Sequence, residues 1–376
     1  MNTADEFSLN DNLCYLNHAA VGPWPIRTHQ RVIEFANDNT HFGAQQYPKW
    51  LEVEDNLRKQ CKKLLNAAST DDIALVKNTS EALSMVAHGL NWTAGDNVVI
   101  PTNEFPSNRV VWESLAQFGV EVRQVDTRSA NDPEQALLDH FDNKTRLLSV
   151  SSVQYDIGFR LDLAKLGEDC RKNNVLFCVD AIQSLGVLAL DVEAIQADFV
   201  MADGHKWLLA PEGLAIFYSR PVARDQLKLH EFGWHMLEDL YAFDKQDWSI
   251  ATSARRFECG SPNMLGAHAL DASLSLFSEI GLETISRNIF KNTSYLFDKL
   301  GHIDSVNILT PLEQSRHAGI VTFSIDNHDQ QKVYESLMSK GVICALRGGG
   351  IRFSPHFYTS TQILDRALDI LDDIIK

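Results

Sequence analysis

Short apolar runs alternate with helical segments between residues 73 and 218 of this 376-residue chain. The runs at 73–76, 97–101 and 145–153 have the length and apolar content of strands, and the segments between them carry apolar residues at helical spacing. Such an alternation predicts a mostly parallel sheet, which has to be covered by helices on both faces. We therefore expect an α/β fold whose large domain, residues 21–260, holds a seven-stranded sheet sandwiched by helices.

The rest of the chain predicts three further segments. Residues 221–256 lack a clear periodicity and are expected to form a long loop region near the end of the large domain. Residues 261–376 combine helical segments with short strands, which predicts a smaller C-terminal α+β domain. Residues 1–20 are expected to form an N-terminal segment that packs near the functional site.

A lysine and an aspartate follow two neighbouring strands of the predicted sheet. Lys206 comes shortly after the apolar run 197–202, and Asp180 ends the preceding run, 175–179, with Gln183 close behind. Because ligands bind beyond the carboxyl ends of parallel strands, these side chains can meet in one crevice. A buried amine can form a Schiff base with the aldehyde of pyridoxal phosphate, while a carboxylate keeps the pyridine nitrogen protonated. The alternatives are a lysine that points to solvent and an aspartate that caps a following helix.

Further positions suit the same ligand. Thr79 and Ser80 open a helix after the first strand, where free backbone N–H groups bind phosphate well, although a plain helix cap has the same pattern. Phe105 can stack on the cofactor ring or lie in the core. Arg352 lies in an otherwise apolar strand and needs an anion, either a structural partner or a substrate carboxylate. No Walker or dinucleotide pattern occurs, since no helix is predicted after the glycine run 348–350, and this disfavours a nucleotide.

Composition narrows the classes of partner. The formal net charge of −16 at pH 7 disfavours nucleic acid and anionic membranes, because both attract a basic face. No run approaches the roughly 20 apolar residues that cross a membrane, and residues 1–12 are polar, unlike a signal peptide. The six cysteines are scattered without a C-x-x-C pair, which is typical of reduced thiols. We expect a cytoplasmic protein with no metal site and with neither a nucleic-acid nor a membrane partner.

Seven segments of the chain together resemble the class V aminotransferases, a group of fold-type I pyridoxal phosphate enzymes. The group includes cysteine desulfurases, selenocysteine lyases, kynureninases and isopenicillin N epimerase-like proteins. The resemblance extends over nearly the whole chain, and its specificity comes from the order and spacing of the segments rather than from any one of them. The segments are 15–23, 78–82, 104–108, 179–183, 204–207, 256–263 and 352–358.

The resemblance implies roles around the cofactor ring and the substrate. Lys206 would form the Schiff base, Asp180 would hold the pyridine nitrogen, and Gln183 would contact the phenolic oxygen. Phe105 would stack on the ring. Arg352 would bind the carboxylate of a small amino-acid substrate.

The resemblance also implies a phosphate site and a partner subunit. Thr79, Ser80 and His205 would hold the phosphate within one chain. Ser261 matches a position that reaches the phosphate from the neighbouring subunit. The implied assembly is therefore a homodimer with shared active sites.

Some residues are candidates for the substrate pocket only. Tyr155 is a candidate wall and a substrate contact, and Trp234 and His235 are candidate walls. His18 is a candidate polar contact to the substrate. Taken singly, each of these residues can equally have a structural role.

The sequence departs from the group at several positions. Phe105 stands where many members have histidine, and phenylalanine can stack but cannot relay a proton. Asp203 replaces a frequent serine on the phosphate side, where a carboxylate would repel the phosphate unless it turned away. Tyr155 falls where desulfurases often have asparagine. Cys344 is predicted to lie in a strand, whereas desulfurases carry a catalytic cysteine in a mobile loop of a longer lobe. A cysteine desulfurase is therefore disfavoured.

These observations predict a pyridoxal-phosphate-dependent enzyme that acts on a small amino acid through a Schiff base with the cofactor. Lys206 would remove the α-proton, and a lyase that breaks a carbon–sulfur or similar β-bond is the favoured reaction. An aminotransferase or an amino-acid epimerase is the alternative within the group. A catalytically silent, cofactor-binding regulatory protein is the alternative of another class, although such a protein would not need to keep Lys206, Asp180 and Arg352.

Overall fold

The computed structural model describes residues 3–376, with side chains from Asp5 onward. The helices are α1 Ile26–Phe42, α2 Tyr47–Leu65, α3 Thr79–Gly89, α4 Ser107–Glu113, α5 Pro133–Leu138, α6 Leu163–Lys172, α7 Pro221–Arg224, α8 Met264–Ile280, α9 Leu282–Leu300, α10 Gln330–Ser339 and α11 Thr361–Ile375. The strands are β1 Cys14–Tyr15, β2 Ile73–Val76, β3 Asn97–Pro101, β4 Glu121–Val125, β5 Thr145–Ser151, β6 Leu176–Asp180, β7 Phe199–Asp203, β8 Ala215–Ser219, β9 Val306–Ile308, β10 Val321–Ile325, β11 Val342–Ile343, β12 Ala345–Arg347 and β13 Gly350–Phe353.

A seven-stranded sheet forms the centre of the large domain, in the order β2-β8-β7-β6-β5-β3-β4. Strand β8 runs antiparallel to both of its neighbours, β2 and β7, while the other pairs are parallel. Successive side chains of a strand point to opposite faces, so Val98 and Ile100 of β3 lie in one apolar cluster and Val99 lies in another. Both faces are thus buried, and the predicted α/β fold is confirmed.

The C-terminal part has its own antiparallel sheet, in the order β12-β13-β10-β9. The N-terminal segment joins this part, because β1 pairs in parallel with β11 and Leu16 lies in the same apolar core as Phe353. Strand β1 has only two residues, too few for a periodic pattern to reveal it. The strand predicted over 342–345 is interrupted at Cys344, which lies between β11 and β12.

Helix α8 lies at the predicted junction between the two domains. It packs against α1 and α2, and Leu270 and Leu274 belong to the apolar cluster that also covers the central sheet. The boundary near residue 261 remains a prediction. No helix in the described part of the chain has the length and apolar character needed to span a bilayer.

Two boundaries shape the site. Helix α3 begins at Thr79, as the Thr79-Ser80 pattern predicts, because the Asn78 side chain accepts the Glu81 N–H at 2.8 Å and caps the helix. Strand β7 extends one residue further than predicted and ends at Asp203. Thr79 and Asp203 therefore meet at the carboxyl edge of the sheet, where β6 also ends at Asp180.

Candidate active site

A cavity of about 340 Å³ opens at the carboxyl edge of the central sheet. The ends of the large-domain strands form one side, and the β12–β13 hairpin of the C-terminal sheet forms the other. The predicted site residues line this cavity, except His18, Ser261 and the candidate walls Trp234 and His235. The fold therefore brings together side chains that are up to 273 positions apart in the sequence (352 − 79).

Lys206 is buried on the floor of the cavity and is 8% exposed. Burial lowers the pKa of its amine to about 8, an effect that Asp180 opposes and Arg352 reinforces. Close packing fixes the lysine loop from behind, because a Cβ added to Gly22 would lie 2.3 Å from the Lys206 carbonyl oxygen. A lysine with this pKa has a substantial neutral, nucleophilic fraction near neutral pH.

Asp180 occupies the end of β6 and is 2% exposed. Burial raises the pKa of this carboxyl to about 7. The hydrogen bond that it accepts from the Ile182 N–H at 3.0 Å opposes this rise, whereas the negative charge of the neighbouring Glu104 adds to it. The predicted alternative was a cap for a helix that would start at residue 181. A turn follows instead, and no helix begins there in the described structure. A cation beside Asp180, such as a protonated ring nitrogen, would favour its charged form.

Gln183 connects the N-terminal segment to the lysine loop. Its Nε2 donates to the Ala19 carbonyl at 2.9 Å, and its Oε1 accepts from Trp207 Nε1 at 2.8 Å. An amide nitrogen carries two hydrogens, so one remains for a ligand in the cavity that Gln183 lines. The predicted contact with the phenolic oxygen remains a prediction.

Thr79, His205 and Asp203 form what we call the phosphate end of the cavity. Thr79 Oγ1 and His205 Nδ1 are buried and have no hydrogen-bond partner within residues 3–376. The Thr79 N–H donates to Asp203 Oδ2 at 3.0 Å, and Ser80 Oγ donates to Ser107 Oγ at 2.8 Å. Unpaired donors at a helix N-terminus fit an anion such as the phosphate of the predicted cofactor. The Asp203 carboxylate at the same place does not.

Phe105 faces the cavity rather than the core, since it is 40% exposed. Its ring lies edge-on to Tyr155 at 5.1 Å between centroids, and Lys206 Nζ is 5.5 Å from its centre. The adjacent Glu104, which sequence reasoning did not single out, anchors this loop. Its carboxylate accepts bonds from Ser151 and Gln154 at 2.5 to 2.9 Å, among others. An aromatic face held in this way suits a flat ring beside Lys206.

Arg347 and Arg352 form what we call the guanidinium end. Arg352 is 2% exposed; its Nη1 donates to the Tyr155 carbonyl at 2.6 Å, and its Nε has no partner in the described structure. Burial lowers the pKa of Arg352 to about 10, so it stays charged at neutral pH. In the β12–β13 register Ala345 lies opposite Arg352, which puts Arg347 and Arg352 on the same face of the hairpin.

Arg347 was missed by sequence reasoning, although a signal was present. Gly348 and Gly349 both have positive φ, of 60° and 86°, and form the two-residue turn between β12 and β13. A Gly-Gly pair between two short strands is a known hairpin signal. The glycine run was tested only as a nucleotide motif, and the hairpin that aligns the two arginines was overlooked.

His18 and Ser261 lie away from the cavity lining. The His18 ring is fully buried, with its two nitrogens hydrogen-bonded to the Ser354 carbonyl and the Tyr358 hydroxyl at 2.8 and 2.6 Å. This environment fits a packing role better than the predicted substrate contact. Ser261 is exposed and lies outside the cavity of a single chain.

Trp234 and His235, the two other candidate walls, also lie outside the cavity lining. The Trp234 ring packs near Tyr241, and His235 is buried 3.5 Å from Glu258. His235, Glu258 and Glu54 could in principle hold a metal ion. Arg58 already pairs with both carboxylates at 2.6 to 2.7 Å, so the cluster is better described as an ion network.

None of the six cysteines lines the cavity. Cys344 is 1% exposed in the core of the C-terminal sheet, and burial raises the pKa of its thiol to about 12. A thiol with this pKa is not a nucleophile at neutral pH. The structure thus places Cys344 at a break between strands rather than within one, yet in the packed interior that the sequence predicts.

Comparison with known proteins identifies the family. The profile of the family Aminotransferase class-V matches residues 14–359. A probable cysteine desulfurase of Methanothermobacter thermautotrophicus is 29% identical, with 96% of this chain and 94% of that protein aligned. A structure of C-DES with glycine covalently linked to its pyridoxal phosphate cofactor has a TM-score of 0.90 at 22% identity, over 96% of this chain and 97% of that chain.

A second structure of C-DES, a cystine C–S lyase in complex with its reaction product cysteine persulfide, has a TM-score of 0.89 at 23% identity. It covers 96% of this chain and 98% of that chain. These structural likenesses agree with the fold described above, and the profile match covers far more than half of the sequence. The chain therefore belongs to the class V aminotransferases, as its sequence motifs predict.

Proposed function

We propose that this chain is a pyridoxal-phosphate-dependent lyase that cleaves the carbon–sulfur bond of a small amino acid. The observation that carries the proposal is the arrangement of Lys206, Asp180 and Arg352 around one cavity of about 340 Å³. Family membership and the names of the similar proteins support both the predicted cofactor and the predicted lyase reaction. When bound, pyridoxal phosphate supplies an electron sink for the carbanion formed at the substrate α-carbon.

Each side chain has a defined task in this proposal. The Lys206 amine would hold the cofactor aldehyde and then, once displaced by substrate, take the proton from the α-carbon. Asp180 would keep a proton on the ring nitrogen, and Phe105 would cover the ring. The free Nε of Arg352, with its positive charge, would orient the substrate carboxylate.

Hydrogen-bond donors at the opposite side would hold the cofactor phosphate. Thr79 Oγ1 and His205 Nδ1 are buried without partners in the described residues, and Ser80 lines the same wall. A phosphate would satisfy these orphaned atoms. This fit is the structural support for the predicted cofactor contacts of Thr79, Ser80 and His205.

The route of the sulfur follows from the position of the cysteines. After removal of the α-proton by Lys206 Nζ, the Cβ–S bond would break and its electron pair would leave with the sulfur as a thiolate or sulfide, which would then be protonated. The remainder of the amino acid ends as a keto acid and ammonia after hydrolysis. No cysteine lines the cavity and Cys344 is buried. The sulfur would therefore be released from the cavity as a small-molecule product rather than be transferred to a thiol of the enzyme. This distinguishes the chain from a desulfurase that carries sulfur on its own cysteine.

We further propose a homodimer with shared sites. Four aromatic side chains are exposed within residues 232–248, namely Phe232, Tyr241, Phe243 and Trp248. Tyr241 and Phe243 lie 6.2 Å apart between ring centroids, and exposed aromatic side chains grouped in this way are typical of a subunit interface. Ser261 is exposed at the start of the segment that leads to α8, in line with a contact to the partner's phosphate site. Light scattering would give twice the chain mass of 42.2 kDa, and Phe243→Ser should shift the protein towards the monomer.

We also propose a cytoplasmic location, supported by six cysteines that are all free.

The central test is reconstitution with pyridoxal phosphate followed by a product assay. The wild-type protein should show an absorbance band near roughly 420 nm and should release a keto acid together with ammonia and a sulfur product from cysteine or cystine. Lys206→Ala should lose the band and reduce turnover by about 10³-fold or more. Cys344→Ala is the matched control and should keep both.

Each rival function gives a different result in the same assay. An aminotransferase would produce a keto acid only when an amino acceptor is present and would release no ammonia. An epimerase would change the chirality of the amino acid without releasing sulfur. A silent regulatory protein would show the band without turnover. A protein that binds no cofactor would refute the proposal.

A further inference from the structure

Asp203 lies at the phosphate end of the cavity, beside the N-terminus of α3. It ends β7, lines the cavity and is 7% exposed. Its Oδ2 accepts the backbone N–H of Thr79 at 3.0 Å, and Thr79 is the first residue of α3. That N–H is one of the free donors that make a helix N-terminus attractive to anions. The Asp203 carboxylate therefore already accepts an N–H that could otherwise bind an anionic ligand.

The second carboxylate oxygen lies in the same place without a partner. Asp203 Oδ1 is buried and has no hydrogen-bond partner in the part of the chain that is described. Thr79 Oγ1 and His205 Nδ1 are likewise unpaired, and Asp203 Oδ1 is 3.8 Å from His205 Nδ1. Three buried polar atoms of the phosphate end thus have no partner in the described structure; Thr79 Oγ1 and His205 Nδ1 can donate to an anion, whereas the Asp203 carboxylate oxygen can only accept.

The charges around Asp203 do not neutralise it. The one basic side chain found within 4 Å of its carboxylate among the described residues is the His205 imidazole, at 3.8 Å, and no lysine or arginine of that part of the chain pairs with it. Glu81, in the first turn of α3, is already paired, because its Oε1 lies 2.9 Å from Lys77 Nζ. Lys206, with a pKa of about 8, is mostly protonated near neutral pH, but no ion pair between it and Asp203 is found within 4 Å among the described residues, and the partly ionised Asp180 shares the cavity with it.

We propose that Asp203 controls the affinity of this chain for the phosphate of its cofactor, acting as an internal anion that caps α3 and has to release the Thr79 N–H before a phosphate binds. The inference rests on the proposed function, since the phosphate belongs to pyridoxal phosphate. A dianion close to an unpaired carboxylate is repelled strongly in a partly buried site. The phosphate therefore contributes less to cofactor binding than the donors around it would allow.

The test compares two aldehydes that differ only in the phosphate. Dissociation constants for pyridoxal phosphate and pyridoxal are measured by absorbance titration at one pH, for the wild-type protein and for Asp203→Asn. Asparagine has the same shape and keeps an oxygen for the Thr79 N–H, but it removes the charge. We expect the variant to bind pyridoxal phosphate about 10- to 100-fold more tightly. Its dissociation constant for pyridoxal should change by less than about twofold. Because both aldehydes react with Lys206, the ratio of the two dissociation constants is insensitive to any effect of the substitution on that amine.

A matched control comes from the same helix. Glu81→Gln removes a carboxylate from the first turn of α3 whose charge is already paired with Lys77. It should leave the ratio of the two dissociation constants within about twofold of wild type. Asp203→Ser, which removes the charge with a smaller side chain, should lower the ratio of the pyridoxal phosphate dissociation constant to the pyridoxal dissociation constant, as Asp203→Asn does. Thermal melts would identify a variant that fails to fold.

The possible outcomes separate this inference from the proposed function. An unchanged ratio, or weaker binding of pyridoxal phosphate in both Asp203 variants, would overturn the role of Asp203 while leaving the cofactor in place. A wild-type protein that binds neither aldehyde would overturn the proposed function and the inference with it. An equal gain in Glu81→Gln would show a general charge effect and would also overturn the specific role of Asp203.

Discussion

The two ends of the cavity differ in charge and in the part of the chain that supplies them. Strand and helix termini of the large domain build the phosphate end, where Asp203 lies beside the uncharged donor Thr79 Oγ1 and the His205 ring. A hairpin of the C-terminal sheet builds the guanidinium end, where Arg347 and Arg352 share one face. Under the proposed function, charge would attract the amino-acid substrate, whereas the cofactor phosphate would be held by hydrogen bonds against a repulsive neighbour.

The buried arginine of the guanidinium end should give the largest effect. Arg352→Gln keeps much of the length of the side chain but loses the charge and the fork that binds a carboxylate in bidentate fashion. We expect kcat/KM for the sulfur amino acid to fall by about 100-fold or more, while the dissociation constant for pyridoxal phosphate changes little. Steady-state kinetics alongside a cofactor titration would check this. A loss of cofactor affinity without a loss of kcat/KM would place the carboxylate site elsewhere.

The exposed arginine of the same end should give a smaller effect. Arg347 is exposed, and the hydrogen bond found for its side chain in the described structure goes to the neighbouring Leu346 carbonyl. Arg347→Gln should raise KM by about tenfold or less, because an exposed charge is screened by solvent and salt. The increase should be greater for a substrate with a second carboxylate, such as cystine, than for cysteine. Equal effects of Arg347→Gln and Arg352→Gln would remove the distinction between a buried and an exposed arginine.

The smallest effect is expected on the pKa of Lys206, because charged residues at both ends of the cavity shift it. An amine is nucleophilic only when neutral, so the rate at which Lys206 captures pyridoxal should rise with pH and level off above its pKa of about 8. Arg347 lowers this pKa and Asp203 raises it. The midpoint should therefore move up in Arg347→Gln and down in Asp203→Asn, each by less than about one pH unit.

Stopped-flow absorbance over a pH series would measure these midpoints. Pyridoxal is the appropriate probe because it lacks the phosphate, whose own repulsion by Asp203 would otherwise enter the result. Glu81→Gln again serves as the control and should leave the midpoint in place. Shifts in the same direction for both variants would contradict the opposite electrostatic roles of the two ends.

Much of the fold could be predicted because it depends on patterns that are local in the sequence. The sequence predicted all seven strands of the central sheet: most of them are almost continuously apolar because both faces are buried, whereas the edge strand β4 mixes polar and apolar residues. The predicted boundaries were less accurate. Strand β7 continues to Asp203, one residue beyond the predicted run 197–202, and the strand expected around Cys344 is broken there, between β11 and β12.

The parts that could not be predicted depend on contacts between distant segments. Strand β1 exists because it pairs with β11, more than 300 positions away, and two residues leave no periodic signal. His18 was assigned to the substrate because a polar residue in a motif suggests chemistry, yet Ser354 and Tyr358 satisfy both of its nitrogens. Arg347 needed the hairpin register before it could be recognised as a neighbour of Arg352.

The sequence by itself determined the alternation of strands and helices, and with it the edge of the sheet at which Lys206, Asp180 and Thr79 would meet, because parallel strands end on the same side. The tertiary structure decided what surrounds each of these residues. Only the packing of the two parts showed that Asp203 holds the Thr79 N–H, that two arginines face the lysine, and that Cys344 is enclosed in a core. The physical reason is that burial and charge–charge distances, which set reactivity and affinity, depend on neighbours far apart in the chain.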